Sequence, residues 1–340
     1  MQGFRRKKNN WGSRIDNRRG VCYNETKTIL EDRDMKVATT TGDFLWYTKP
    51  GDISSALTLL ADSGFRCADI NLSDLLYEGS PLCGDNWEAW TDDIGNTAAR
   101  LGIELVQAHS SGSAFDHGPD RDYHTAMIER ELFVCGKLGV PAMVVHGIST
   151  APLTREDFMS GNTEFYKGLL KTAEKTGVTV CTENTCRQNA QTYYLYTAED
   201  LNELCGMVDH TLFGVCWDVG HGHCHGVDPY ATVMTLGKNL KAIHVHDNYA
   251  TADLHIQPYA GNFCYDALLQ GLKDSGYGGC FTLEAFCMPV AANFCFCKRK
   301  AFVKDGVTYD TIQMPPVSFK IRSERLMLDM TQWMLEAYGM

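Results

Sequence analysis

Thr176-Gly177-Val178-Thr179-Val180-Cys181-Thr182-Glu183-Asn184 holds one full repeat of the fold. A helical pattern stops at a glycine, the residue best suited to end a helix in the left-handed region. An apolar, β-branched run follows at once, as a buried strand requires. That run ends in a carboxylate and an amide. Working outward, the same helix-glycine-strand step recurs at Leu101-Gly102-Ile103 and Leu138-Gly139-Val140. Eight strand-like runs emerge, at 37–41, 67–72, 103–109, 142–146, 178–183, 213–218, 242–246 and 280–285. Helical patterns fill the intervals near 52–63, 87–101, 121–138, 162–176, 198–208, 229–238 and 264–275, with a last one near 318–337. Eight alternations of strand and helix predict a single closed parallel (β/α)8 barrel, an α/β fold. A doubly wound open sheet is the rival, and no Gly-x-Gly-x-x-Gly follows the first strand to support a dinucleotide-binding version of it.

Two segments stand outside the repeat. Residues 1–34 are basic and polar without a sustained apolar period and read as a disordered leader, with Met35 a candidate natural start. The barrel then takes 35–340. Within it, 287–317 is an excursion before the last helix that carries Phe294, Phe296, Lys298-Arg299-Lys300 and Met314-Pro315-Pro316. A connection of that length is expected to be a lid, a binding loop or a partner contact.

Composition narrows the function. The chain has 340 residues, 44% of them apolar, and a formal charge of −11. An acidic balance argues against a surface built for nucleic acid or anionic membrane, and no apolar run is long enough for a membrane span. The 14 cysteines are scattered, without a Cys-x-x-Cys pair, which suits reduced thiols and a cytoplasmic setting better than a disulfide scaffold or a zinc ribbon.

The chemistry lies where polar residues stop the strands. The third and fourth runs end in His109 and His146, the fifth in Glu183, the sixth in Asp218. The seventh carries His244 and His246, then Asp247, and the eighth Glu284. In a parallel barrel all these ends open on one face, which is where active sites lie. A mixture of carboxylates and imidazoles there suits one divalent cation. Singly, each residue has a structural reading: a carboxylate can cap the next helix, and a strand histidine can be a hydrogen-bonded core residue. It is the conjunction at corresponding strand ends that points to a site. His223, Cys224 and His225 read as a polar turn rather than a second metal site. Trp11, Trp87, Trp90, Trp217 and Trp333 read as packing residues. Trp46 and Tyr47 follow the first strand at the barrel mouth, where their rings could stack on a ligand.

Cys216-Trp217-Asp218-Val219-Gly220-His221-Gly222-His223 resembles the Asp-x-x-His strand-six motif of the xylose-isomerase-like barrels, a superfamily of sugar isomerases and epimerases, inosose dehydratases and endonuclease-IV-type enzymes. Thr182-Glu183-Asn184, His244-Val245-His246-Asp247-Asn248 and Leu283-Glu284-Ala285-Phe286 are similar to its other motifs. The resemblance implies one divalent ion, Mn2+ first with Co2+, Mg2+ or Zn2+ as alternatives, held by Glu183, Asp218, His244 and Glu284. His246 competes with His244 for the ligand role, and Asp247, three residues after His244, favours the latter. Glu183 and Glu284 are then the two proton-transfer groups. His221, His246, His109, His146 and His255 are the expected substrate-binding residues. The expected substrate is a small carbohydrate or cyclitol.

Epimerisation, isomerisation and dehydration remain open outcomes. So does C-glycoside cleavage in a hetero-oligomer with a small subunit, beside a plain homo-oligomer. Endonuclease-IV-type relatives imply a rival reading, a three-zinc phosphodiesterase, for which His109, His146, His221, Asp253 and His255 supply the additional ligands. It is ranked second because the charge is acidic and because the loops after the early strands read as short, without clustered Arg and Lys.

Overall fold

The computed structural model describes residues 35–111, 120–149, 154–186, 193–285, 302–309 and 315–340. The leader expected at 1–34 and most of the 287–317 excursion lie outside them. Eight parallel strands close in chain order, β1 Val37–Thr40, β2 Cys67–Asn71, β3 Glu104–His109, β4 Ala142–Val144, β5 Thr179–Glu183, β6 Phe213–Asp218, β7 Leu240–Val245 and β8 Phe281–Leu283, with β8 pairing back onto β1. The outer ring is α1 Ile53–Ser63, α2 Trp87–Leu101, α3 Arg121–Leu138, α4 Arg155–Thr176, α5 Ala198–Val208, α6 Val219–His225, α7 Pro229–Leu236, α8 Tyr265–Ser275 and α9 Val317–Tyr338. The fold is the expected (β/α)8 barrel.

Helix ends follow their sequence signals. Gly64, Gly102, Gly139 and Gly177 all close helices in the left-handed conformation. Helix α4 begins earlier than its apolar period suggests, because the Thr154 side chain accepts from Asp157 N and caps it. Helix α6 was not foreseen. Its seven residues lack an apolar period, and it starts because Asp218 accepts the His221 backbone N–H. The link from β2 to α2 runs over residues 72–86, longer than the short loop expected there. Part of the excursion, Phe302–Lys304 (β9) and Val307–Tyr309 (β10), forms an exposed antiparallel hairpin.

Strand parity builds the site. Small residues fill the barrel interior, among them Ala142, Val144, Cys181, Cys216 and Ala242. Successive side chains alternate between faces, so residues two further along point the same way. Two on from Val144 is His146, from Cys181 is Glu183, from Cys216 is Asp218, and from Ala242 is His244. The larger apolar side chains on the other face, such as Phe213 and Ile243, pack with helix residues such as Phe158 and Tyr166 of α4 to form the core between sheet and helices.

Candidate metal centre

The deepest part of the mouth is organised around His244, which is fully buried on β7. Its Nδ1 lies 2.6 Å from Glu183 Oε1 and 3.0 Å from Glu284 Oε2. Its Nε2 accepts from Gln107 Nε2 at 2.7 Å. Glu183, Asp218, His244 and Glu284 each offer one ligand atom within 4.8 Å of the others. Two further groups flank this one. His109, His146 and Glu183 form the first, with the two imidazole Nε2 atoms 3.2 Å apart. His221, His246, Asp253 and His255 form the second: Asp253 Oδ2 lies 3.1 Å from both His221 Nε2 and His255 Nε2, and His246 stacks on His255 at 3.9 Å. Of the residues singled out at the strand ends, all but Asp247 therefore lie in one of three adjoining groups, and His246 falls in the outer group with a second contact to Asp218 at 3.1 Å.

The donor set fits divalent cations. Three histidines direct Nδ1 at a backbone carbonyl: His109 at Ser110 O (3.1 Å), His221 at Asn184 O (2.9 Å) and His255 at Glu284 O (2.9 Å). A carbonyl only accepts, so each Nδ1 carries a proton, and it is the Nε2 proton that the ring would give up to turn a lone pair inward. That is the arrangement of a ligating imidazole. Glu183 Oε2 is buried and accepts no hydrogen bond, with His146 Nε2 at 3.2 Å and His109 Nε2 at 3.5 Å. Such an orphaned carboxylate oxygen beside two inward-facing nitrogens needs positive charge.

The titration behaviour reflects the same demand. Burial pushes His109 down, but Glu183 outweighs it and holds the ring at about 9. His255 is likewise raised to about 9, with burial opposed by Asp253. Burial lowers His146 to about 4 despite Glu183. Burial would raise Glu284 and Glu183, yet His244 and the other surrounding imidazoles hold both below the usual carboxylate range.

Supporting residues explain the motifs. The Asn184 side chain clasps β6, its Nδ2 donating to Asp218 O (2.8 Å) and its Oδ1 accepting from Asp218 N (2.7 Å). Asp247 is not at the metal groups: it accepts from Asn248 N and Phe263 N and folds the loop that brings Asp253 and His255 back. Gly220 is required because a Cβ there would overlap the His246 ring.

Sequence reasoning missed Asp69 and Gln107. Asp69 is buried on β2, 3.9 Å from His244 Nε2, and burial raises its carboxyl to about 6. A charged residue inside the apolar run Ala68-Asp69-Ile70 was the available signal. Among the described residues His223 and His225 join none of these groups. They bond Asn262 Oδ1 (2.7 Å) and Thr185 O (3.0 Å) from helix α6 rather than from a turn. Tyr47 donates to Pro315 O at 3.1 Å, and Trp46 is half exposed. Trp333 corrects its packing assignment, since it is 63% exposed.

Comparison with known proteins agrees with this architecture. Protein y4fM of Sinorhizobium fredii is 23% identical over 170 residues, 47% of this chain and 52% of that protein. The chain spans about half the length of the curated relatives it matches. Among solved structures, D-psicose 3-epimerase of Clostridium cellulolyticum superposes with a TM-score of 0.69 at 20% identity, covering 88% of this chain and 99% of that one. An AP endonuclease of family 2 from Brucella melitensis superposes with a TM-score of 0.60 at 15% identity, covering 74% and 93%. At these identities the structures speak to the fold alone. The model of the xylose isomerase-like TIM barrel family matches residues 57–307, and the chain belongs to that family.

Proposed function

We propose that the chain is a divalent-metal-dependent sugar isomerase or epimerase that moves a proton at a carbon next to a carbonyl, with Glu183 and Glu284 as its two acid–base groups. One observation carries this reading: both carboxylates converge on His244 Nδ1, at 2.6 and 3.0 Å, inside a pit that Asp218 completes. Glu183, Asp218, His244 and Glu284 would hold the ion. When bound, it supplies Lewis acidity that polarises a carbonyl and its neighbouring hydroxyl and so acidifies the adjacent C–H. Manganese is the first candidate, and the same ligands suit cobalt, magnesium or zinc.

The two carboxylates divide the work. Both are held ionised, so either can accept the substrate proton. The ionised member takes the proton from carbon, the other, first protonated from water, returns one to it, and the pair resets by exchange with water. Glu284, whose side chain is 20% exposed against 1% for Glu183, is the member that exchanges with solvent. The imidazoles around the mouth donate to sugar hydroxyls. Among the described residues the pit offers histidine and carboxylate groups and no lysine or arginine to pair with a phosphate, which favours an unphosphorylated sugar or cyclitol. The epimerase names carried by the structural neighbours point the same way. The same two carboxylates would serve a dehydratase or a C-glycoside lyase, so the product decides among them.

A second reading has its own observation. The flanking groups His109/His146/Glu183 and His221/His246/Asp253/His255 provide ligands for two more ions, which suits phosphodiester hydrolysis. Elemental analysis of the purified full-length chain, with a ketose panel and an abasic-site duplex assayed in parallel, separates the two. One ion per chain with epimer formation supports the first reading. Three zinc ions with strand cleavage replaces it by the second.

A further inference from the structure

Helix α9 presents two apolar faces, and the barrel uses one. Lys320, Glu324, Met327, Leu328, Thr331, Met334 and Leu335 are buried against the barrel and its helices. On the other side Phe319, Leu326 and Trp333 are exposed by 48%, 56% and 63%. These three are spaced by seven residues, so they stack into one nearly straight stripe, drifting only about 20° per heptad. The stripe is about 21 Å long at 1.5 Å per residue. Tyr259, itself 51% exposed, extends it, its ring 6.3 Å from that of Trp333. A helix that only seals a barrel would carry polar residues there.

We propose that this stripe is the contact between two copies of the chain, paired helix against antiparallel helix across a twofold axis at Leu326. The stripe is self-complementary in that orientation. Leu326 meets the second copy's Leu326, and Phe319 meets its Trp333, because 319 and 333 are equidistant from 326. The flanking charges select the direction. Arg322, Asp329 and Glu336, all exposed, also recur every seven residues along one side of the stripe. A parallel pair would turn this flank towards the opposite flank of the second copy, where Ser323 and Met330 lie, and would leave these charges without opposite partners. The antiparallel pair sets Arg322 beside the second copy's Asp329 and brings Glu336 to the positive N-terminal end of its helix. The twofold symmetry closes the assembly at a dimer.

Sedimentation velocity on the full-length chain over a range of micromolar concentrations tests this. The wild type is expected to sediment as a reversible dimer. Leu326→Arg, at an exposed position, is expected to weaken it by at least about 30-fold, the loss of one central anchor, with an unchanged thermal melt confirming the fold. Arg322→Asp and Asp329→Arg should each weaken the dimer, and the double exchange should restore it. A wild type that stays monomeric overturns the proposal. So does a Leu326→Arg dimer as tight as wild type, or a double exchange as weak as the single ones.

Discussion

Replacing Asn184 with alanine removes both hydrogen bonds of a buried clasp at once. The Asp218 amide loses Oδ1 at 2.7 Å and the Asp218 carbonyl loses Nδ2 at 2.8 Å. Both groups are buried, so water cannot replace what is lost. Each stranded backbone group costs about 1–3 kcal/mol, so the variant should lose about 3 kcal/mol after local relaxation. The consequence reaches the metal groups, because Asp218 is the residue clasped and the Asn184 carbonyl also orients His221. Loss of such an outer support weakens metal affinity by about 10- to 100-fold. Asn184→Asp keeps the acceptor for Asp218 N but sets a buried carboxylate oxygen against its carbonyl, so it should be no more stable than alanine. Urea denaturation of the apo chain reads the first effect, and titration with Mn2+ the second. An Asn184→Ala variant within about 0.5 kcal/mol of wild type, the range of an inert surface change, with unchanged metal affinity, would refute this reasoning.

Four other outcomes follow from the same geometry. Glu131 is buried beneath Ser110 and Ser111, and burial raises its carboxyl from 4.5 to about 7; the folded state therefore holds this proton more tightly than the unfolded chain. Stability from this group is full below pH 4.5 and is lost as pH rises through about 7; across that window wild type should lose about 3 kcal/mol relative to Glu131→Gln, measured as urea midpoints at several pH values. Gly220→Ala sets a Cβ into the His246 ring and should cost about 1–3 kcal/mol, checked by thermal melting. Glu284→Gln keeps the shape but removes the acid–base group and should lower kcat at least about 100-fold at saturating metal, read by steady-state kinetics on the ketose panel. Stripping metal with a chelator should lower stability by about 3–4 kcal/mol relative to protein held at 100 to 1,000 times the metal Kd, and calorimetry with and without added Mn2+ reads it.

The barrel was legible because its signals are local. Glycine stops such as Gly102, Gly139 and Gly177 mark where each helix ends, and β-branched runs such as Val178–Val180 mark where the next strand begins. The strand-end residues were legible for the same reason, since parity alone carries Glu183, Asp218 and His244 onto the inward face. What escaped depends on tertiary contacts. Asp69 sits in mid-strand, so position along the chain gave it no distinction, and only the closing of the barrel brings it towards His244. The assignment of His246 to the outer group rests on Asp253 returning through a loop whose fold is set by Asp247. Helix α6 has no apolar period to announce it and forms from a single cap at Asp218. Trp333 was misassigned because a large aromatic on a helix favours the core, whereas here the heptad face that carries it points outward.

The central claim is proton transfer at a sugar carbon between Glu183 and Glu284. Its most direct test is proton NMR of a ketose panel incubated with the metal-loaded chain in deuterium oxide. The account predicts that at least one sugar exchanges the C–H beside its carbonyl for deuterium while its epimer or isomer accumulates, and that Glu284→Gln abolishes that accumulation. Absence of exchange across the panel, with a phosphodiester cleaved by the same preparation, would contradict it.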